Sequence, residues 1–331
     1  MSNMSIGDLA QSFVLRQRST DLKQQMARLT QELTTGQVAD VRQAIKGNYS
    51  YLTEVERNLE VLNGYKAITT EAGIFAGNIQ TTLGRFQEVG AQLANSLVVS
   101  AIGATSGGTT EESKAAVDAL VGVLNTTSAG RSMFGGAAAD RSPTETSDVL
   151  LSELKTAMSG AANPDDMFIA AEAWFDSPTG YDLAFYRGGS TALSDVRLSN
   201  TDQVTFDIRA TDPKLKKSLL FASVAALAND PAFDLDETQI SEVFNRAGTS
   251  LLGASDSLTS LRAEVGVLEA RLDSAATRNA TEMSAIELEK SALLQADPYE
   301  AATKLEEVQF QLQSIYSVTV RMSKLSLANF L

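Results

Sequence analysis

Between Leu258 and Leu293 apolar residues return at every seventh position: Leu258, Val265, Leu272, Ile286 and Leu293, with Asn279 in the one polar place and Leu261, Leu268 and Ala275 at the half-steps. A repeat of seven held for this long keeps one narrow stripe turned toward a partner helix, the pattern of a coiled coil. From Ala254 to Gln295 such a helix runs roughly 63 Å at 1.5 Å per residue. It has no core of its own and must bury the stripe on another helix, of the same chain or of a copy; the period fits both. Asn279 either fixes the register at some expense of stability or faces water.

Both ends of the chain repeat the theme. Leu15, Leu22 and Leu29 stand at steps of seven, with Met26 and Leu33 at the half-steps. At the other end Leu305, Val308, Leu312, Ile315, Met322 and Leu325 recur every three or four residues, and Leu327 and Leu331 carry the stripe to the last residue. Each end therefore predicts an amphipathic helix whose seam pairs with the other end or with a copy.

Composition removes whole classes of function. The 331 residues include no His and no Cys, which excludes disulfides, thiol nucleophiles, histidine bases and the usual zinc sites. A formal charge of -14 and a pI near 4.6 oppose nucleic-acid binding, which draws on clustered Lys and Arg. The longest apolar run, Leu219 to Ala228, is about half the ~20 residues a membrane helix needs, so no membrane insertion is expected. The first residues lack the basic and apolar segments of a cleaved export signal.

Along the chain, Gly36 closes the first helix after Thr34-Thr35. A second stripe through Leu52, Val55, Leu59, Leu62, Ile68, Phe75, Ile79, Phe86 and Leu93 predicts a helix reaching Ile102. Its glycines at 64, 73, 77, 84 and 90 each cost about 1 kcal/mol against Ala and permit close approach of another backbone. Thr109 or Thr110 ahead of Glu111-Glu112 predicts the next helix start. Gly130 to Pro143 reads as an ordered loop, Leu150–Met158 and Asp165–Ala173 as short helices. Leu183 to Arg187, Asp195 to Ser199 and Gln203 to Arg209 read as short strands joined by tight turns. Asp212-Pro213 caps a further helix, and the long repeat begins near Asp236.

The expected fold is mainly α: a long antiparallel helical bundle or coiled-coil rod formed by both termini, with a small α+β insertion domain. The segments are a core helix and connector at 1–50, a rod helix at 51–102, the insertion at 103–235 with its β region at 176–211, a second rod helix at 236–296 and a core helix at 297–331. Met133-Phe134-Gly135-Gly136 lacks the Lys-Ser/Thr of a phosphate loop and reads as a packing turn. The adjacent acids Asp165-Asp166 and Glu111-Glu112 read as helix-start charges. No catalytic, metal or cofactor residue is assigned, and no enzyme is expected.

The ending Asp297-Pro-Tyr-Glu-Ala-Ala-Thr-Lys-Leu-Glu-Glu-Val through Leu325-Ser-Leu-Ala-Asn-Phe-Leu331 resembles the C-terminus of flagellin-like axial proteins. Within them it is most similar to the hook-associated proteins of the third type, the hook-filament junction subunits. Gln31-Glu-Leu-Thr-Thr-Gly-Gln37 and Gly130-Arg-Ser-Met-Phe-Gly-Gly136 resemble two further family elements. The family's Asp-Asp-Pro after the first is replaced here by Val38-Ala-Asp-Val-Arg. The resemblance implies a structural subunit of the bacterial flagellum, outside the cell, exported by the flagellar type III route without a cleaved signal. It implies self-assembly through both terminal helices with copies of itself, an adjacent hook-associated junction protein, flagellin or hook-side subunits, and an export chaperone. The assembly seam is then Leu15, Leu22, Met26, Leu29, Leu33, Leu305, Val308, Leu312, Ile315, Met322, Leu325, Leu327 and Leu331, with Leu258, Val265, Leu272, Ile286 and Leu293 packing the rod. A flagellin filament subunit and a secreted adhesin or enzyme on flagellin-like arms are the alternatives.

Overall fold

A computed structural model of the chain describes residues 6–44, 49–103 and 106–328. The fold is mainly α, an antiparallel bundle of long helices with a small insertion. Its elements are α1 (Ile6–Thr35), α2 (Val41–Ala44), α3 (Tyr49–Gly103), α4 (Ser106–Leu124), α5 (Ser147–Ala157), α6 (Pro164–Asp176), α7 (Pro213–Leu227), α8 (Glu237–Leu293) and α9 (Pro298–Ala328). Two antiparallel hairpins complete it, β1 (Thr127–Ser128) with β2 (Arg131–Ser132) and β3 (Val196–Arg197) with β4 (Gln203–Val204). The chain divides into two compact units, Met1–Asn63 with Ala280–Leu331, and Gly64–Asn279.

In the Gly64–Asn279 unit, α3 and α8 run antiparallel. Ser241 Oγ donates to the Ala101 carbonyl at 2.6 Å, Gln87 Nε2 to Thr259 Oγ1 at 2.8 Å, and Gly77 lies near Glu269. Rising numbers on one helix thus meet falling numbers on the other. Leu258, Leu261, Val265, Leu272 and Ala275 are buried, as are Ile79, Leu83, Phe86, Leu93 and Leu97 opposite. The two stripes found in the sequence close on each other within one chain.

The close approach that the glycines of α3 permit is not made at them. Gly64, Gly73 and Gly90 have open space where a Cβ would stand, and Gly77 and Gly84 meet only the ends of Glu269 and Arg262. Close approach occurs instead at Gly248 on α8, where a Cβ would lie 3.0 Å from the Ala94 carbonyl oxygen and 2.9 Å from Val98 Cγ2.

The insertion is organised on α7. Asp212 caps it, accepting from Lys214 N at 2.8 Å, and Pro213 occupies its first turn. Leu215, Leu219, Leu220, Val224 and Leu227 are buried, and small residues between them are buried too. Such a helix, apolar on most sides, is stable only when surrounded, and α4, α5 and α6 pack on it. Burial of its aspartate raises the Asp212 carboxyl above its ordinary range, and its bond to Lys214 opposes that shift.

Three local readings are corrected. Leu183 to Arg187 is no strand: Tyr181–Phe185 form a π-helical turn. The neighbours Phe185 and Tyr186 are both buried, whereas a strand would turn them to opposite faces. Tyr181 stacks on Phe175 with centroids 5.1 Å apart, donates to the Ala210 carbonyl at 2.9 Å and lies under Lys216. Burial pushes its phenol strongly upward. Arg187 then ends the turn, its guanidinium donating to the Leu183 and Ala184 carbonyls.

Second, α4 starts at Ser106, ahead of Thr109 and Thr110, whose side chains are buried in its first turns. Third, the loop after Asn125 holds the β1–β2 hairpin. Ala129 (φ 51°) and Gly130 (φ 76°) take the left-handed backbone of a two-residue hairpin turn. Asn78 Nδ2 fixes that hairpin to α3 through Ser128 Oγ at 2.7 Å.

The stretch Met133-Phe134-Gly135-Gly136 is a packing turn knotted by backbone bonds: Gly189 N donates to Gly135 O, Ala137 N to Thr191 O and Ala210 N to Phe134 O. Gly136 has φ +57°, and a Cβ there would strike the Thr191 carbonyl.

Candidate assembly surface

In the unit of the two chain ends, α1 and α9 pack on each other. Their joint is built from the sequence signals at each helix end. Gly36 at φ +69° stops α1. Asp297 caps α9, accepting from Tyr299 N at 2.9 Å and Glu300 N at 3.2 Å, and Pro298 takes its first turn. Between them Val38 N donates to Leu294 O and Ala296 N to Gly36 O, both at 2.9 Å, a short antiparallel pairing centred on Gln37 and Gln295. The connector is tied further by Ala39 N donating to Glu32 Oε1 at 2.9 Å. In the same unit Leu52, Val55 and Leu62 are buried, and Lys290 pairs with Glu56 at 2.8 Å.

The seam of the α1–α9 pair consists of buried Leu22, Leu29, Ala301 and Val308, with Met26, Leu305, Leu312 and Ile315 half-buried at its margin. Lys23 lies 5.9 Å from the Tyr316 ring and Lys304 reaches Glu300 at 2.6 Å. The Glu300 carboxylate, with Glu32 nearby, raises the Lys304 ammonium above its usual range. Leu15 and Met322 are half-buried, Leu33 is exposed. Leu325 and Leu327 fall in the last turns of α9, where only the backbone is described, and Leu331 lies outside the described residues. Ile286 and Leu293 of α8 are half-buried. Val265 and the other repeats nearer the helix start are fully buried.

The structure also shows apolar side chains that the seven-residue stripe does not contain. Phe13 (64 % exposed), Val14, Phe310 (71 % exposed), Tyr316, Val318 and Val320 stand outside the seam and in water. They are legible as the apolar residues left over once the seam is assigned.

Asn279, at its apolar repeat position, neither pairs with another helix nor faces water. It is buried, and its Nδ2 donates to the Leu198 carbonyl of the β3–β4 hairpin at 2.8 Å. The paired acids are accounted for in the same way. Asp166 accepts from Asn163 Nδ2 at the start of α6, Asp165 meets Arg246, Glu111 meets Lys114 and Glu112 accepts from Ser96 Oγ. Among the described residues no cluster of acids is arranged to hold a metal ion, and no helix is long and apolar enough to cross a membrane.

Residues 250–331 match the family model of the bacterial flagellin C-terminal helical region. No curated protein matches the sequence. Among solved structures, one described as "putative flagellar hook-associated protein from Vibrio parahaemolyticus" superposes with a TM-score of 0.53 at 12 % identity, over 73 % of this chain and 95 % of that one. At that identity the likeness shows a common fold. From Ser250 on α8 to residue 331, the chain is therefore similar to the C-terminal helical region of bacterial flagellins, within a fold shared with that hook-associated structure.

Proposed function

We propose that this chain is a structural, non-enzymatic subunit of the bacterial flagellum, and more narrowly the subunit that joins hook to filament. The observation that carries the reading is the α1–α9 pair. Its seam is closed by Leu22, Leu29 and Val308, and it keeps Phe13, Phe310, Val318 and Val320 in water. Burying a side chain of this size is worth about 1.5–3 kcal/mol, so a few such residues on each copy supply a strong drive to associate. The flagellin-type C-terminal region supports the flagellar setting. The ending Leu325-Ser-Leu-Ala-Asn-Phe-Leu331 favours the junction.

In this mechanism the seam residues hold each pair together and the outward residues join it to its neighbours. Those neighbours are copies of the chain, an adjacent hook-associated protein, and flagellin or hook-side subunits. Export by the flagellar apparatus with a dedicated chaperone, which shields the apolar residues beforehand, completes the reading and places the assembled protein outside the cell. Leu312 and Ile315 stand at the seam margin. Their change to Asp brings an unpaired charge into it, which is strongly unfavourable, and incorporation is lost.

Deleting the gene tests the reading, with electron microscopy of the cells and an assay of flagellin in the medium. Bare completed hooks with flagellin released into the supernatant are the expected result. Junctions on the hooks with no flagellin produced would make the chain the filament subunit, the second reading. Normal filaments would overturn both.

A further inference from the structure

The β3–β4 hairpin meets both long helices of its unit through polar groups at its tip, set around Leu198, which is fully buried in the core. Tyr65 Oη of α3 donates to Asn200 Oδ1 at 2.8 Å, and Asn279 Nδ2 of α8 donates to the Leu198 carbonyl at 2.8 Å. Asp202 accepts from Arg271 and, at 2.9 Å, from Arg278. Its carboxylate is 19 % exposed, whereas the two arginines, at 53 % and 59 %, remain open to water.

The tip is also a self-contained piece of structure. Leu198 N and Ser199 N both donate to the Asp202 carbonyl, and Ser199 Oγ accepts from Thr201 N and Asp202 N. These bonds survive if the tip leaves the helices. Its base is held separately, by buried Val204 and by Phe206 packed edge-on against Phe75 at 5.1 Å. The hydrogen bonds and solvated ion pairs to α3 and α8 exchange with water at small net expense, whereas uncovering Leu198 opposes opening, so the lifted tip is a minor state that the ion pairs hold back further.

We propose that the β3–β4 hairpin is a detachable strap: Asp202, gripped by Arg271 and Arg278, latches its tip across α3 and α8, and the tip lifts when that grip is released while the helical core stays folded. Asn279 is the positioning residue of the latch. A polar side chain at an otherwise apolar repeat position gives the strap one place to sit on α8. Lifting the tip uncovers Leu198 and the Asn279 amide that it covers.

Hydrogen exchange read by mass spectrometry on the full chain tests this, comparing wild type, Asp202→Asn and the double variant Arg271→Gln with Arg278→Gln. Peptides covering 196–204 and 270–280 are expected to exchange about tenfold faster in both variants, with α4 and α7 unchanged, since a locally opening element exchanges independently of the core. Wild type at ~1 M salt, where screening length falls to about 3 Å, is expected to move in the same direction. Unchanged exchange at the hairpin would show that the ion pairs do not latch it. Acceleration throughout α4, α7 and α8 would show that the hairpin is an inseparable part of the fold. Either result overturns the proposal.

Discussion

The α1–α9 pair and the Gly64–Asn279 unit start from the same kind of sequence, narrow apolar stripes at intervals of seven, and end in different states. In the larger unit the α3 and α8 stripes meet, and the insertion adds α4, α7 and an aromatic group around Tyr181, so that Phe86, Phe134, Phe168 and Phe244 are all fully buried. In the pair, two helices have only each other. Four residues are buried, while aromatic and aliphatic side chains of similar size stay exposed. A stripe therefore specifies one contact, and the number of further layers decides whether the helix is finished. The larger unit closes its two stripes within one chain, and under the proposed function the pair is completed by neighbouring subunits.

That contrast can be broken by substitution, beginning where the effect is largest. Phe244→Ala removes a fully buried ring from α8 and is expected to lower stability by about 3–5 kcal/mol, read by denaturant unfolding. Phe310→Ala on α9 is expected to leave the monomer's unfolding within about 0.5 kcal/mol of wild type. Equal losses at the two sites would erase the distinction between the regions.

A smaller effect is expected at Gly248, where Val must displace Val98 and press on the Ala94 backbone. Gly248→Val should lower stability by about 1–3 kcal/mol. Gly73→Ala, in open space on α3, should raise it by about 0.5–1 kcal/mol through helix propensity. A stabilised Gly248→Val would show that the long helices are not in tight register there.

The smallest effect is that of acid on the hairpin. Hydrogen bonding from Arg271, helped by the charges of Arg271 and Arg278, holds the Asp202 carboxyl below its ordinary range against an opposing effect of burial. Because the folded value is the lower one, its contribution is present in full above the ordinary carboxylate range and is lost as pH falls through the lowered value. Exchange protection at 196–204 should be flat from neutral pH into mild acid and fall below it, and Asp202→Asn should remove that step. A step lying above pH 5 would assign it to another group.

The long helices were legible because their signals are local and repeated: the sevens from Leu258, the Asp212-Pro213 and Asp297-Pro298 starts, and Gly36 at the first stop. The π-helical turn was not, since the apolar run Leu183-Ala-Phe-Tyr before Gly188-Gly189 has the aromatic content and flanking turn of a strand, and only the packing of Tyr181 against Phe175 and Ala210 selects the other form. The β1–β2 hairpin was hidden because its strands have two residues each and its turn is Ala-Gly, without the usual Asn or Asp. Asn279 shows the same limit. Its partner is a carbonyl eighty-one residues away, which no period reveals. The seam of the candidate surface was visible as a stripe, whereas the outward residues Phe13 and Phe310 were visible only after α1 and α9 had been placed together.

The most direct test of the central claim is to follow Phe310→Ser in flagellated cells lacking the native gene, measuring both export into the medium and retention on the hook. The account predicts a chain that is exported, folds with the stability of wild type when purified, and is not retained. Retention at the wild-type level would contradict it, because the outward face of α9 would then carry none of the assembly.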